Sequence, residues 1–224
     1  MDEFSQRTVA LIGQEKYQKL KNSVILIVGV GGVGGFVAEF LTRAGVGNLV
    51  IVDGDRVEQS NINRQIIATQ ESVGKYKVDA FKERLLLINP QLNLQTFAKR
   101  FNKETKDEIL ANTYDFVVDA IDSVKDKTDL IIEAKSRNLQ IVSAMGAGNR
   151  YDLPMFEVKD IFKTENDGLA KVVRRNLRLA GIKDVPCVCA KSVANKSDGV
   201  VGSISYYPAA CAAVIAAFVV NKLI

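Results

Sequence analysis

The sequence predicts an α/β fold: a doubly wound, mostly parallel sheet with helices on both faces and a smaller C-terminal lobe. Through the first two thirds of the chain, short apolar runs bounded by turn residues alternate with segments of helical period, which is typical of such sheets. The 224 residues, 47% of them hydrophobic, suffice for one large core and would crowd two independent domains.

The first part of the chain supplies most of the predicted sheet. Its predicted strands are residues 23–28, 49–53, 94–98, 116–119 and 140–144. An N-terminal helical segment precedes them, and the predicted helices between them are residues 33–43, 75–88, 104–112 and 124–137. We therefore predict a core spanning residues 1–145.

After residue 145 the pattern changes, and residues 146–224 are predicted to form the smaller lobe and terminal helix of the same domain. They begin with a loop at 146–154, which is followed by short strands and a basic helix at 168–180. Strands at 187–191 and 201–206 then flank a polar loop at 195–199 and precede the terminal helix. The apolar run at 209–220 is shorter than the roughly 20 residues that span a bilayer, so we expect a buried helix and no membrane partner. The N-terminus lacks a signal-peptide pattern, which indicates a cytoplasmic protein.

The composition excludes several kinds of active site. The chain contains no histidine, and its three cysteines, Cys187, Cys189 and Cys211, form no CxxC pair. These absences exclude Ser–His and Cys–His nucleophile pairs within the chain, and zinc sites built from histidines or four cysteines. The chemistry must therefore use carboxylates, arginines, lysines, backbone amides or a thiol.

A glycine-rich turn follows the first predicted strand. Gly29, Gly31 and Gly34 match the Rossmann-like fingerprint G-x-G-x-x-G, in which glycines let a phosphate approach the backbone and let the helix pack on the strand. Asp53 follows about 20 residues later, where a carboxylate can bind ribose hydroxyls. This fingerprint leaves NAD, FAD and ATP open, with a turn that binds no ligand as the alternative.

Charged residues beyond the fingerprint favour ATP. Arg64 and Lys77 can neutralise a polyphosphate, whereas hydride transfer requires no such cations. Asp119 and Asp122 close a predicted strand at the edge of the sheet where open α/β folds bind ligands. One of these carboxylates can hold Mg²⁺, whose preference for oxygen ligands suits ATP.

The motifs GVGGVG, VDGD, NINRQ, GKYK and DAIDS together resemble the ubiquitin-activating-enzyme-like adenylyltransferases, which include the ThiF and MoeB proteins. The resemblance implies that ATP and its magnesium are bound by Asp53, Asn63, Arg64, Lys77 and Asp122, with Gly32 and Asp55 in support. It also implies a homodimer in which an arginine of one N-terminal segment reaches the phosphates of the other subunit, and Arg7 is the candidate. For each charged residue the alternative is a solvated surface position.

The later motifs MGAGNR, VKDIFKT, DGLA and RRNLR resemble the tRNA threonylcarbamoyladenosine dehydratase family. That resemblance implies ATP-dependent closure of the threonylcarbamoyl side chain on a tRNA adenosine, through an acyl-adenylate. It leaves open a monovalent cation near the Gly146 loop and a sulfur-relay partner. Members that act on sulfur-carrier proteins carry a pair of CxxC motifs, which this chain lacks, so that alternative is weakened.

A basic stripe on the predicted helix at 168–180 fits a tRNA partner. Lys171, Arg174, Arg175 and Arg178 lie at i, i+3, i+4 and i+7, and Lys163 is close in sequence. The opposite side carries Leu169, Val172, Leu177 and Ala180, which we expect to anchor the helix. Such a stripe can bind phosphates, and the alternative is an ordinary solvated face.

The cysteines are not expected to be nucleophiles. Cys187 and Cys189 alternate on a predicted strand and are expected on opposite faces, and Cys211 lies in an alanine-rich helix. The resemblance places a cysteine of some dehydratases in a C-terminal loop for which this chain offers no matching segment. We expect ring closure without an enzyme nucleophile. The rival interpretations are a sulfur-carrier adenylyltransferase, a non-catalytic nucleotide-dependent RNA-binding protein and an NAD-dependent oxidoreductase.

Overall fold

The computed structural model describes residues 3–196 and 199–224. Strands β1 to β7 are, in chain order, Val24–Val28, Asn48–Val52, Asn93–Phe97, Phe116–Asp119, Ile141–Ala144, Phe156–Asp160 and Pro186–Ala190. Helices α1 to α8 are Gln6–Ile12, Gln14–Asn22, Gly34–Ala44, Lys77–Ile88, Lys106–Ile109, Val124–Ser136, Gly168–Leu179 and Tyr206–Leu223.

The seven strands form one sheet in the order β3-β2-β1-β4-β5-β7-β6. Neighbouring strands are parallel except β6, which pairs antiparallel with β7 at one edge. The central strands β4 and β5 are buried along their whole length, and such strands are expected to have continuous apolar sequences because both faces are covered. The mostly parallel, doubly wound α/β fold is confirmed.

Helices cover both faces of the sheet. One apolar layer includes Val37 of α3, Phe81 of α4 and Ile215 of α8, and the other includes Leu130 of α6 and Val173 of α7. Strand β7 pairs with β5, so residues 146–224 share the sheet and core of the preceding residues. The carboxyl ends of β1, β2, β4 and β5 consequently meet at one edge, which carries the site described below.

Helix α8 is part of the core. By length and composition it is apolar enough to cross a membrane. It nevertheless packs against α3, and its residues Cys211, Ile215 and Val219 are inaccessible to solvent. Its apolar sequence is therefore accounted for by packing on one side.

Two predicted elements are wrong. Residues 201–205 form a loop rather than a strand, and Tyr206 begins α8. The Gly202 N–H donates to Asn149 Oδ1 (2.6 Å), and the Asn149 N–H donates to the Gly202 carbonyl (2.7 Å). These bonds join the segment to another loop instead of to the sheet. The helix predicted at 104–112 is only Lys106–Ile109, and the Ile109 carbonyl accepts a hydrogen bond from the Tyr114 hydroxyl. Of the polar loop predicted at 195–199, Ser197 and Asp198 lie outside the described residues.

Candidate active site

A cavity of about 640 Å³ opens at the carboxyl ends of the central parallel strands. Open α/β sheets bind ligands at this edge, where the strand order reverses. The cavity brings together most of the sequence-predicted nucleotide residues, which are Gly29, Gly31, Gly32, Asp53, Asp55, Arg64, Lys77 and Asp122. The sequence-predicted residues Gly34 and Asn63 are not in its wall and act on it indirectly.

The glycine turn is held tightly between β1 and β4. Gly29 has φ +87°, and a Cβ there would lie 2.7 Å from the Ala120 carbonyl oxygen. A Cβ on Gly34 would lie 1.8 Å from the Gly29 oxygen, so Gly34 lets α3 start directly against the turn. A Cβ on Gly31 would make only an ordinary contact, with the Gln65 side chain at 3.6 Å. The turn therefore presents backbone to the cavity, as the fingerprint requires.

Asp53 ties the glycine turn to the end of β2. Its Oδ2 accepts a hydrogen bond from the Val30 N–H and its Oδ1 accepts one from the Asp55 N–H, both at 2.9 Å. Burial raises the pKa of this carboxyl, while nearby Lys77 acts in the opposite direction. Asp53 thus shapes the turn in addition to facing the predicted ribose position.

Lys77 is positioned by two carboxylates. Its side chain is 8% exposed, and Nζ lies 3.1 Å from Asp55 Oδ2 and 3.9 Å from Asp53 Oδ1. Although burial tends to raise the pKa of Asp55, hydrogen bonds and charge from Arg100 and Lys77 lower it overall. The ammonium of Lys77 is therefore oriented into the cavity wall before any ligand binds.

Arg64 also lines the cavity, and it has neutral hydrogen-bond partners. Its Nη1 donates to the Ser60 carbonyl and to Asn63 Oδ1, both at 2.9 Å. Asn63 in turn donates to the Ser203 carbonyl at 3.0 Å, which fixes the loop before α8. Asn63 thus orients Arg64, and the direct contact with ATP that the family resemblance implies for Asn63 stays a prediction.

Asp122 lies in the exposed turn after β4, and its side chain borders the cavity together with Asp126. Among residues 3–196 and 199–224, no group of three or more carboxylates or thiols is arranged to hold a metal. Mg²⁺ in nucleotide sites commonly takes one or two carboxylates and completes its shell with phosphates and water. Asp122 therefore fits a magnesium ion bound jointly with a nucleotide, and does not fit an ion held by protein alone.

Arg7 stands apart from this cavity. It lies exposed on α1 and is not among the residues that line the cavity of its own chain. A role at the phosphates therefore requires a second subunit.

Sequence analysis missed the basic residues that follow β3. Lys99 and Arg100 line the cavity, although they lie outside the motifs. The signal that could have found them is the strand order, because parallel strands end at one edge and the residues after them meet there.

The loop at Gly146 contains a fixed cation that the sequence did not reveal. Arg150 is 4% exposed and donates through Nη1 to the carbonyls of Gly146 (2.9 Å) and Gly148 (3.1 Å). Its Nε donates to the Ser192 carbonyl at 3.1 Å. The predicted monovalent cation near this loop stays a prediction, and an arginine already binds two of the loop's carbonyl oxygens.

The basic helix α7 is anchored differently from the prediction. Its buried residues are Ala170, Val173 and Leu177, whereas Val172 is 45% exposed. Of the predicted anchors Leu169, Val172, Leu177 and Ala180, only Leu177 is fully buried.

Arg174 differs from the other basic residues of α7. It is half-buried and donates to Thr164 at both the carbonyl (2.6 Å) and Oγ1 (2.7 Å). Those bonds give it a structural role at the start of the helix. Lys163, Lys171, Arg175 and Arg178 remain exposed.

The cysteines also differ from the prediction. Cys187 and Cys189 lie on the same face of β7, since residues two apart on a strand share a face, and both belong to one buried cluster. Interaction between the two thiols raises the pKa of Cys187 and lowers that of Cys189. Burial raises the pKa of Cys211 to about 12, which disfavours its thiolate.

Replacing the cysteine of α8 tests whether the reaction uses that thiol. A Cys211→Ala protein is expected to retain the wild-type rate of AMP release, because Cys211 is fully buried and packs as a small apolar residue. The stability cost is expected to be about 1 kcal/mol. Loss of AMP release from a protein whose thermal unfolding is otherwise normal would contradict this expectation.

The similarity of this chain to known proteins agrees with the geometry of the cavity. A tRNA threonylcarbamoyladenosine dehydratase of Bacillus subtilis is 42% identical over 183 residues, which cover 82% of this chain and 72% of that protein. The Escherichia coli enzyme of the same name is 34% identical over 171 residues, which cover 76% of this chain and 64% of that protein. The chain therefore spans roughly two thirds of the length of these two curated relatives.

A solved structure extends the likeness to the whole chain. The Escherichia coli dehydratase TcdA, crystallised in complex with ATP, superposes with a TM-score of 0.94 at 29% identity, covering 99% of this chain and 93% of that one. A model of the ThiF family matches residues 5–224. The chain belongs to the ThiF family.

Proposed function

We propose that this protein is an ATP-dependent tRNA threonylcarbamoyladenosine dehydratase. The observation that carries the proposal is a single cavity in which a glycine turn, two oriented cations and an exposed aspartate meet. That arrangement suits adenylation of a carboxylate. Two dehydratases of that name match 82% and 76% of this chain, and a solved structure of the Escherichia coli enzyme contains ATP.

The proposed reaction has two steps whose atoms balance. A carboxylate oxygen of the threonylcarbamoyl group attacks the α-phosphorus of ATP, and pyrophosphate leaves. An atom of the carbamoyl group then attacks the activated carbonyl within the same substrate; AMP leaves with the former carboxylate oxygen, and one N–H proton of the carbamoyl group is lost to solvent. The nucleoside loses the elements of one water, and no protein nucleophile is needed.

The residues of the cavity would act by binding and charge. Gly31 and Gly32 let phosphates approach the backbone, Arg64 and Lys77 offset negative charge, and Asp53 faces the ribose. Mg²⁺, when bound by Asp122 and the phosphates, would supply further positive charge at the α-phosphate. Such preorganised charges act more strongly on a bound phosphate where they are shielded from water, as Lys77 is with 8% of its side chain exposed.

Several further features belong to the same proposal. We propose a homodimer in the cytoplasm, in which Arg7, which does not line the cavity of its own chain, contacts the nucleotide of the other subunit. A monovalent cation near the Gly146 loop and a sulfur-relay partner are consistent with the family resemblance.

The experiment is a direct assay of the substrate nucleoside. The protein is incubated with ATP, Mg²⁺ and tRNA bearing the open modification, and the digested nucleosides are measured by mass spectrometry. The proposal expects a loss of one water from the modified nucleoside, with AMP released in equal amount. No mass change and no AMP would refute it, and AMP release dependent on a carrier protein instead of tRNA would favour the sulfur-carrier alternative.

The tRNA would bind along α7 through its exposed cations. A protein with Lys171, Arg175 and Arg178 all changed to alanine is expected to bind tRNA more weakly, with its log–log salt slope reduced by about 2, since each phosphate contact contributes about 0.7–0.9. Binding is measured at several salt concentrations. A matched control changes the exposed lysines Lys16, Lys21 and Lys82 on the other face of the sheet. Equal salt slopes for the two variants would mean that α7 is an ordinary solvated surface that does not bind tRNA.

A further inference from the structure

Arg100 reaches the cavity from outside the known motifs. It lies three residues beyond the end of β3, and its backbone and side chain cross the turn after β2. A Cβ on Gly54 would lie 2.8 Å from the Arg100 nitrogen and 2.7 Å from its Cγ. The glycine of VDGD thus gives this arginine the space to cross.

The guanidinium lies near the glycine turn. Its Nη2 lies 2.9 Å from Asp55 Oδ1, and that contact raises the pKa of Arg100. The charges of Asp126 and Asp122 act on it in the same direction. Arg100 also lines the same cavity as Gly29 and Gly31, which follow the end of β1. The glycine turn, where phosphates approach, begins there.

Arg100 is also the most available of the cations around Asp55. Its side chain is 73% exposed and its partner Asp55 is 46% exposed, whereas Lys77 is 8% exposed between two carboxylates. The neighbouring Lys99 is engaged by both oxygens of Glu108, at 2.9 and 2.7 Å. Solvent-exposed ion pairs of the Arg100–Asp55 kind stabilise proteins by only about 0–1 kcal/mol, so exchange of the carboxylate for a phosphate costs little.

We propose that Arg100 is a further catalytic residue, which leaves Asp55 and binds the phosphates of ATP when the nucleotide enters. A guanidinium can bind a phosphate through two parallel hydrogen bonds, and a compact ammonium cannot. Asp55 keeps Lys77 as its partner. This inference rests on the proposed use of ATP and adds a residue to it.

The test compares nucleotides with and without phosphates. Dissociation constants for ATP and adenosine are measured by equilibrium dialysis for the wild type, Arg100→Gln, Arg100→Lys and the control Lys103→Gln, an exposed lysine that does not line the cavity. Arg100→Gln is expected to weaken ATP binding about 10-fold or more and to leave adenosine binding unchanged. Arg100→Lys should be intermediate, and Lys103→Gln should match the wild type.

Two results would overturn the inference. One is wild-type ATP affinity in Arg100→Gln. The other is an equal loss for ATP and adenosine, which would mean that Arg100 acts only by holding Asp55. Binding is measured without tRNA, so a protein that binds ATP through Arg100 yet leaves the modified tRNA unchanged would contradict the proposed dehydratase activity alone.

Discussion

An Asp122→Ala protein is expected to release AMP about 100-fold more slowly than the wild type, or slower still, when ATP, Mg²⁺ and modified tRNA are supplied. Removing one preorganised electrostatic group from a reaction centre typically costs 10²–10³-fold in rate. Asp122 is exposed in the turn after β4, so its removal is expected to change stability by less than about 0.5 kcal/mol. The rate loss is therefore expected without a loss of fold.

The measurement follows AMP against time and adds a titration of Mg²⁺. If Asp122 holds the ion, the variant should need more Mg²⁺ to reach half of its maximal rate. Asp129→Ala is the matched control, because Asp129 lies on α6 outside the cavity and pairs with Lys125 at 3.3 Å. Unchanged turnover in Asp122→Ala, or an unchanged Mg²⁺ requirement, would contradict the metal role.

The central strands of the sheet could be predicted because they are local and largely buried, whereas β3 and β6 are partly exposed. Val24–Val28 and Phe116–Asp119 are apolar runs next to turn residues, and that pattern needs no knowledge of distant contacts. The error at residues 201–206 has the opposite cause. Val201, Ile204 and Tyr206 are of types that favour strands, but Asn149 pairs with Gly202 across more than fifty residues, and no local pattern encodes that pairing.

The candidate site likewise contains residues that local sequence predicts and residues that it does not predict. The glycine fingerprint and Asp53 were predictable, since one turn and one strand end determine their positions. Arg100 was missed because its place beside Asp55 depends on the pairing of β2 with β3. Helical spacing likewise put Arg174 on a basic stripe, although its bond to Thr164 depends on how the preceding segment folds back.

A buried ion pair beneath the cavity joins the two strand ends that carry its walls. Lys127 of α6 is inaccessible to solvent, and its Nζ donates to Asp119 Oδ2 (2.7 Å), Ser143 Oγ (3.2 Å) and the Ala144 carbonyl (3.0 Å). These contacts satisfy all three donors of the ammonium. Asp119 also accepts from the Ile121 N–H at 3.1 Å, which holds the turn before Asp122. The ammonium therefore links β4, β5 and α6 at the base of the site.

A Lys127→Met protein is expected to lose about 3–5 kcal/mol of unfolding free energy, because the substitution keeps the length of the side chain and leaves the Asp119 carboxylate buried without its counter-charge. For a chain of this size, that loss corresponds to a fall of roughly 10 °C in the unfolding temperature. Thermal and denaturant unfolding measure it, and Lys125→Met, an exposed change two residues away, is the control.

Most of the stability lost in Lys127→Met should come from leaving the Asp119 carboxylate unpaired. Less should come from losing the attraction between the two charges, because burying the ion pair is itself unfavourable. A second change, Asp119→Asn in the same chain, removes that charge and should recover most of the lost stability. The double variant should nevertheless release AMP more slowly than the wild type. Its neutral amide holds the turn before Asp122, but the ammonium that ties this turn to β5 is absent. If the double variant recovers both its stability and its rate of AMP release, Lys127 serves folding alone. If Lys127→Met loses neither stability nor rate, the ion pair is dispensable for both.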